Sequence, residues 1–209
     1  MNIFKQTIKG ILGGMFIGTG ALAYLSIDNK VVGALFFALG LFAILTLDLN
    51  LFTGKLCYVV EKKNYKEVGL TLLGNFVGTF LTASLVKLTR LNVIEKAQQI
   101  VDIKLNDNLL SLFILAIFCN ILIYLAVEGY KNFDGMWKVL ALFFGVSVFV
   151  ICGFEHSVAD MFYFCLSTNL LSGQMILRLF IIILGNIGGG LGIRLLLNYL
   201  KKEKENEKI

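Results

Sequence analysis

The sequence predicts an all-α membrane protein with six transmembrane helices in a 3+3 inverted repeat, the second and fifth of them broken mid-membrane. Three observations carry this: an apolar composition, six long uncharged runs, and a motif that recurs three runs apart. Of 209 residues, 57% are hydrophobic and 16% charged, with 18 Phe, 21 Gly and no Pro. An ordinary soluble domain has about 25% charged residues, so this composition excludes one. A helical span needs roughly 20 apolar residues, which leaves room for about six spans, short connections and no soluble domain. Residues 1–209 therefore read as a single transmembrane domain, with a first half of about 8–90, a second half of about 105–200 and a charged tail at 201–209.

The first span, Gly10 to Ile27, follows Lys5 and Lys9. No A-x-A-like cleavage site follows it, so it reads as a retained span and not a signal peptide. Its Gly10, Gly14 and Gly18 recur every four residues, the spacing of close helix contact in membranes. The second span, Val31 to Leu47, stops at Asp48 to Lys55 and resumes as Leu56 to Val60. The third is Val68 to Val86 and the fourth Leu109 to Val127. The fifth, Val139 to Phe154, stops at Glu155 to Asp160 and resumes as Met161 to Leu166, and the sixth is Leu179 to Ile193. Span three contains Leu73-Gly74-Asn75-Phe76-Val77-Gly78 and span six Leu184-Gly185-Asn186-Ile187-Gly188-Gly189, which share L-G-N-x-x-G. Copies three crossings apart run in opposite directions, the mark of an inverted repeat. In such a plan the solute site lies near the midplane, where non-helical backbone is tolerated because it lines a cavity.

Charge sets the expected orientation. With a cytoplasmic amino terminus, Lys5, Lys9, Lys62, Lys63, Lys66, Lys131, Lys138, Arg194 and the tail lysines fall inside, and Lys30, Lys87, Arg90, Lys96, Lys104 and Arg178 outside. Lys and Arg favour the cytoplasmic side of short loops, so both termini are expected in the cytoplasm of a multi-pass cell-membrane protein. Tyr58, Tyr130, Trp137 and Tyr199 near the inner ends fit an interfacial aromatic belt. No basic stripe with interleaved aromatics points to nucleic acid. Cys57, Cys119, Cys152 and Cys165 never fall in the close pairs of a zinc or redox site and read as small buried apolar side chains. No metal or cofactor is expected.

An ionisable residue inside a bilayer costs roughly 2.5 to 3.5 kcal/mol on insertion scales, so each needs a partner or a wet cavity. The two breaks hold nearly all of them. His156 is the single histidine, placed beside Glu155 in a segment expected halfway across the membrane. A neutral imidazole donates one hydrogen bond, and its unperturbed pKa of about 6.5 lets it hold or pass a proton. It reads as pore-lining. Glu155 either caps amides freed by the break or touches the solute, and the supporting role is preferred because a carboxylate in an anion path repels. Thr53 brings a hydroxyl that both donates and accepts, for a solute or for its own loop. Phe37, Leu41, Phe52 and Phe149 flank the breaks and suit apolar constrictions. Lys55 and Lys104 either draw an anion toward the pore or snorkel to the headgroups.

At Leu51-Phe52-Thr53-Gly54 and at Gly153-Phe154-Glu155-His156-Ser157-Val158-Ala159-Asp160-Met161 the chain resembles the formate/nitrite transporter family, whose signatures are close to L-F-T-G and G-F-E-H-S-I/V-A-N-M. Cys119-Asn120 with Leu125-Ala126-Val127, and Gly185-Asn186 with the following glycines, extend the resemblance over all six spans. It implies an aquaporin-like fold, a homopentamer in membrane lipid with one pore per subunit, and passage of small monovalent anions (formate, nitrite or hydrosulfide) linked to protons. It makes His156 the central pore histidine, Thr53 its partner, Asn120 a polar residue near the pore and Lys104 a vestibule lysine that attracts anions. Phe37, Leu41, Leu51, Phe52 and Phe149 match constriction positions. Asp160 stands where asparagine is usual, Asn50 where an acidic residue is common and Lys55 where asparagine often follows the glycine, departures that bear on which anion is carried. Glu155, Asn50 and Asp160 are taken as loop-supporting.

Two other functions fit less well. A water or glycerol pore shares the inverted plan but carries an N-P-A turn in each half, and this chain has no proline. An intramembrane enzyme needs a nucleophile held by a base and steadied by a third group, or a metal with several ligands. One histidine without clustered ligands supplies neither, so no catalytic residue is assigned.

Overall fold

The computed structural model describes residues 2–167 and 172–206, and every regular element among them is a helix. Helix α1 (Ile3–Ser26) starts where Asn2 Oδ1 accepts from the Lys5 amide at 3.1 Å, so its first turns carry the lysines that precede the apolar run. Helix α2 (Lys30–Thr46) is capped by Asn29, whose Oδ1 accepts from Val31 N at 3.0 Å and Val32 N at 3.1 Å. It ends before Asp48, which takes a left-handed φ of 51°, a conformation that a short polar side chain tolerates. Two short helices follow, α3 (Phe52–Leu56) and α4 (Val59–Lys62). Then come α5 (Tyr65–Val86), α6 (Ile94–Asn106), α7 (Leu109–Asn132), α8 (Gly135–Cys152), α9 (Ser157–Leu166) and α10 (Gly173–Asn206).

Helices α1, α5, α7, α8 and α10 are long and apolar enough to cross a membrane, while α2 and α9 are apolar but shorter. Most of these helices outrun the uncharged runs that mark them in the sequence, because a helix keeps its backbone bonds after its side chains have reached water or headgroups. Of the charged tail, residues 207–209 lie outside the described residues.

The most extensive packing is α1 on α5 and α7 on α10. Both pairs meet backbone to backbone through glycine. A Cβ on Gly78 of α5 would run into the Ile11 carbonyl oxygen of α1, and one on Gly189 of α10 into the Ile117 carbonyl oxygen of α7. Small residues at membrane helix interfaces allow this approach. Helix α9 sits inside the resulting cage: all ten of its residues are buried, against α1, α5, α6 and α10.

Two expectations need correcting. Residues 94–106, read as part of a connection, form the amphipathic helix α6, which buries Ala97, Val101 and Lys104 at helical spacing next to α9. It has no long apolar run, so a search for spans passes over it. The cysteines are not uniformly buried either: Cys57, Cys119 and Cys165 are, but Cys152 is exposed, because it ends α8 next to the exposed Gly153.

Candidate functional site

Helices α3 and α9 both begin deep in the molecule, and a helix start leaves amide groups that need partners. The partners are two asparagines. Asn75 of α5 accepts from Phe52 N at 2.9 Å and donates from Nδ2 to the carbonyls of Asn50 at 3.0 Å and Gly10 at 2.7 Å. Asn186 of α10 accepts from Ser157 N at 3.0 Å and donates to the carbonyls of Glu155 at 2.9 Å and Ala116 at 2.9 Å. Each side chain binds the first amide of a short helix, the carbonyl two residues before it, and a carbonyl of the neighbouring long helix. Both asparagines are fully buried. The sequence displays them inside the L-G-N-x-x-G repeat, yet no role is assigned to them there; a buried polar residue recurring amid apolar neighbours is the signal that they do something.

The bend before α9 is made by Gly153, whose φ of 71° suits a residue without a Cβ. It leads to His156, buried at the N-cap of α9. Its Nδ1 accepts from the Ala159 amide at 3.1 Å, which only an unprotonated ring nitrogen can do. The ring proton is therefore on Nε2, and Nε2–H donates to Thr53 Oγ1 of α3 at 3.0 Å. One hydrogen bond thus joins the two helix starts. The imidazole stacks on Phe149 with centroids 5.5 Å apart and planes at 13°, and Phe149 meets Phe37 edge-on at 5.9 Å.

A cavity of about 170 Å³ lies on the α9 side, walled in part by Phe37, Phe149, His156, Lys104 and Asp160. Another of about 210 Å³ lies on the α3 side, walled in part by Leu41, Asn50, Leu51, Lys55, Tyr58 and Lys131. Of the residues singled out in the sequence, Phe37, Phe149, Lys104, Glu155, Asp160 and His156 meet at the first cavity and Leu41, Leu51, Asn50 and Lys55 at the second. Phe52 is buried but walls neither cavity, and neither does Asn120, whose Nδ2 donates to the Asn186 carbonyl at 2.7 Å.

The charges are mostly paired. Lys104 is buried, with its Nζ against Glu155 Oε2 and 2.9 Å from Asp160 Oδ1. Lys55 pairs with Glu67, and Lys9 with Asp48. Asn50 donates to Gln6 Oε1 at 2.6 Å and its amide to the Lys9 carbonyl at 3.2 Å, tying its loop to α1. On the α3 side Arg194 of α10 holds Glu61 of α4 through two contacts, Nε to Oε1 at 2.6 Å and Nη2 to Oε2 at 2.9 Å. Those bonds, with one from Asn198, bring the Glu61 carboxyl down to about 2. Among the described residues no group of three or more His, Cys, Asp or Glu is placed to hold a metal ion. The arrangement places a neutral N–H donor, of the kind an anion accepts from, between two cavities whose walls mix apolar and charged side chains.

Comparison with known proteins finds relatives along nearly the whole chain. A family model described as formate/nitrite transporter matches residues 1–200. The uncharacterized transporter YrhG of Bacillus subtilis (strain 168) is 28% identical over 97% of this chain and 88% of its own length. The formate channel BtFdhC of Bacillus thuringiensis is 29% identical over 88% of this chain and 82% of its own. A solved pentameric formate channel with formate bound shares the fold, with a TM-score of 0.83 at 24% identity, covering 96% of this chain and 97% of that one.

Proposed function

This chain belongs to the formate/nitrite transporter family, and from that premise we propose that it forms a homopentameric cell-membrane channel for small monovalent anions: formate, nitrite or hydrosulfide. The plan is six crossings in a 3+3 inverted repeat, α2 continuing through α3 and α8 through α9, with both termini in the cytoplasm. The α9 side is then the outer vestibule and the α3 side the inner one. The matched hydrogen bonds of Asn75 and Asn186 support the repeat. Exposed Leu73, Phe80, Phe118 and Phe180 suit contact with lipid or with neighbouring subunits.

The observation that carries the reading is the bond from His156 to Thr53 between the two cavities. An anion leaving the outer vestibule passes Phe37 and Phe149, which strip its water, and accepts from His156 Nε2–H in place of Thr53. A donor fixed in advance replaces hydration without reorganisation, which lowers the cost of charge in an apolar passage. Thr53 then offers its hydroxyl on the inner side, and Leu41 and Leu51 form the inner constriction. Permeation is proton-linked, but the ring is not the source of the proton. With Nδ1 engaged by Ala159, surrender of the Nε2 proton would leave an imidazolate, so the proton reaches the anion from the outer side.

Purified protein in liposomes tests this. Wild type should carry at least one of the three anions between about pH 5 and pH 8, and His156→Asn should slow it, because the fixed Nε2–H donor is lost. Glycerol swelling without anion flux would overturn the channel reading, and an unchanged rate in the variant would remove the histidine from it.

A further inference from the structure

The buried part of the outer cavity wall contains one positive charge against two carboxyl groups. Lys104 of α6, Glu155 before α9 and Asp160 in α9 are 6%, 4% and 1% exposed. Among the described residues no second buried cation pairs with either carboxyl group. Arg178 of α10 is turned to the carbonyls of Lys104, at 2.8 Å, and Leu105. Lys87 at the end of α5 donates to the Cys165 carbonyl at 2.8 Å, Lys55 of α3 is held by Glu67, and Lys30 at the start of α2 stands at the exposed rim. The remaining titratable neighbours are the neutral His156 ring, Tyr24 of α1, Cys119 of α7 and Tyr163 of α9 itself. With both carboxyls ionised the cluster would hold a net negative charge away from water, which is among the most costly arrangements in a protein interior. Asp160 Oδ2 adds a second sign: it is buried and has no hydrogen-bond partner among the described residues. An ionised oxygen there would be left without any donor, whereas an amide at this position would leave Lys104 and Glu155 in balance.

We infer that the Glu155–Asp160 pair holds one proton at neutral pH, on the Asp160 side, and lends it to an anion arriving in the outer cavity. In the lending step the Asp160 O–H bond breaks and a bond from that proton to the anion forms, giving a neutral acid. The carboxylate left behind stays against Lys104, and a hydronium ion reaching the cavity mouth from bulk water returns the proton and leaves as water. This second half rests on the anion-channel reading; the stored proton does not.

Infrared spectroscopy of the protein in liposomes tests the stored proton directly. Wild type at pH 7 should show the C=O stretch of a buried carboxylic acid, and Asp160→Asn should lack it. If that variant does not assemble, Glu155→Gln serves, since removal of either carboxyl restores the balance with Lys104 and the band should again be lost. A wild type without the band, or a band that survives in the assembled variant, overturns the assignment. Formate uptake tests the lending. From pH 6 to pH 9 the wild-type rate should fall about tenfold as the wall becomes negative, and Asp160→Asn should change less than about twofold. Parallel profiles overturn the lending step. A wild type that shows the band but carries no anion overturns the channel reading and leaves the proton site standing.

Discussion

The residues entering α3 and those entering α9 are held by the same three bonds and do different work. Asn75 binds Phe52 N and the Asn50 carbonyl; Asn186 binds Ser157 N and the Glu155 carbonyl. The position just before the short helix is Leu51 in one case and His156 in the other, and the one before that is Asn50 or Glu155. The scaffold is duplicated while the titratable chemistry is concentrated in one copy. Backbone geometry can be set by one residue type twice over, and the side chains it presents are then free to diverge.

The largest test of that comparison is to remove each clamp. Asn75→Ala and Asn186→Ala each delete three buried hydrogen bonds and strand their partners, so each should cost about 3 kcal/mol or more. Thermal unfolding in detergent should show similar losses; a tolerated Asn75→Ala beside a collapsed Asn186→Ala would break the equivalence. Next come the glycine contacts. Gly78→Ala and Gly189→Ala should each cost about 1 to 3 kcal/mol, because a methyl group meets backbone that cannot withdraw. Gly192, which has nothing within 4 Å of an added Cβ, is the control: Gly192→Ala should be neutral or stabilise by up to about 1 kcal/mol.

Thr53 sharpens the comparison at the one bond between the two helix starts. Thr53→Val strands the His156 Nε2–H and should lower anion flux about tenfold in liposomes, while Thr53→Ser should restore it. The smallest effect belongs to the α3 side alone. Glu61 sits below its ordinary 4.5, at about 2, through its bonds to Arg194 and Asn198. Its folded value lies below the unfolded one, so its contribution is present above about pH 4.5 and lost as pH falls toward 2. Glu61→Gln should lower the melting temperature near neutrality, where that contribution is present, and flatten the acid limb of the profile across that window. An unaltered acid limb would show that other carboxyls set it.

Much of this was legible in the residues. Long uncharged runs mark the apolar helices because lipid demands them, and Glu155 to Asp160 stands out because charge inside an apolar run needs a reason. The pairing of His156 with Thr53 came through resemblance, since no local pattern relates residues 103 positions apart. What the sequence hid is what depends on the third dimension. Lys104 reads as a lysine that draws anions or snorkels to the headgroups, and its pairing with two carboxyls from another element depends on folding. Asn120 reads as a polar residue near the pore, and its Nδ2 donates to the backbone of α10. Helix α6 escaped because its buried face is only one residue in three or four.

The absence of proline has a consequence for how the molecule is made. A proline would write each helix interruption into the segment itself. Here the interruption before α9 is secured by Asn186, which the ribosome adds thirty residues after His156. Until that asparagine docks, the Ser157 amide and the Glu155 carbonyl at the bend lack the side chain that binds them. The cavity on the α9 side is therefore a late product of biogenesis, completed when the last helix arrives, and a chain truncated before residue 186 should enter the bilayer without forming it.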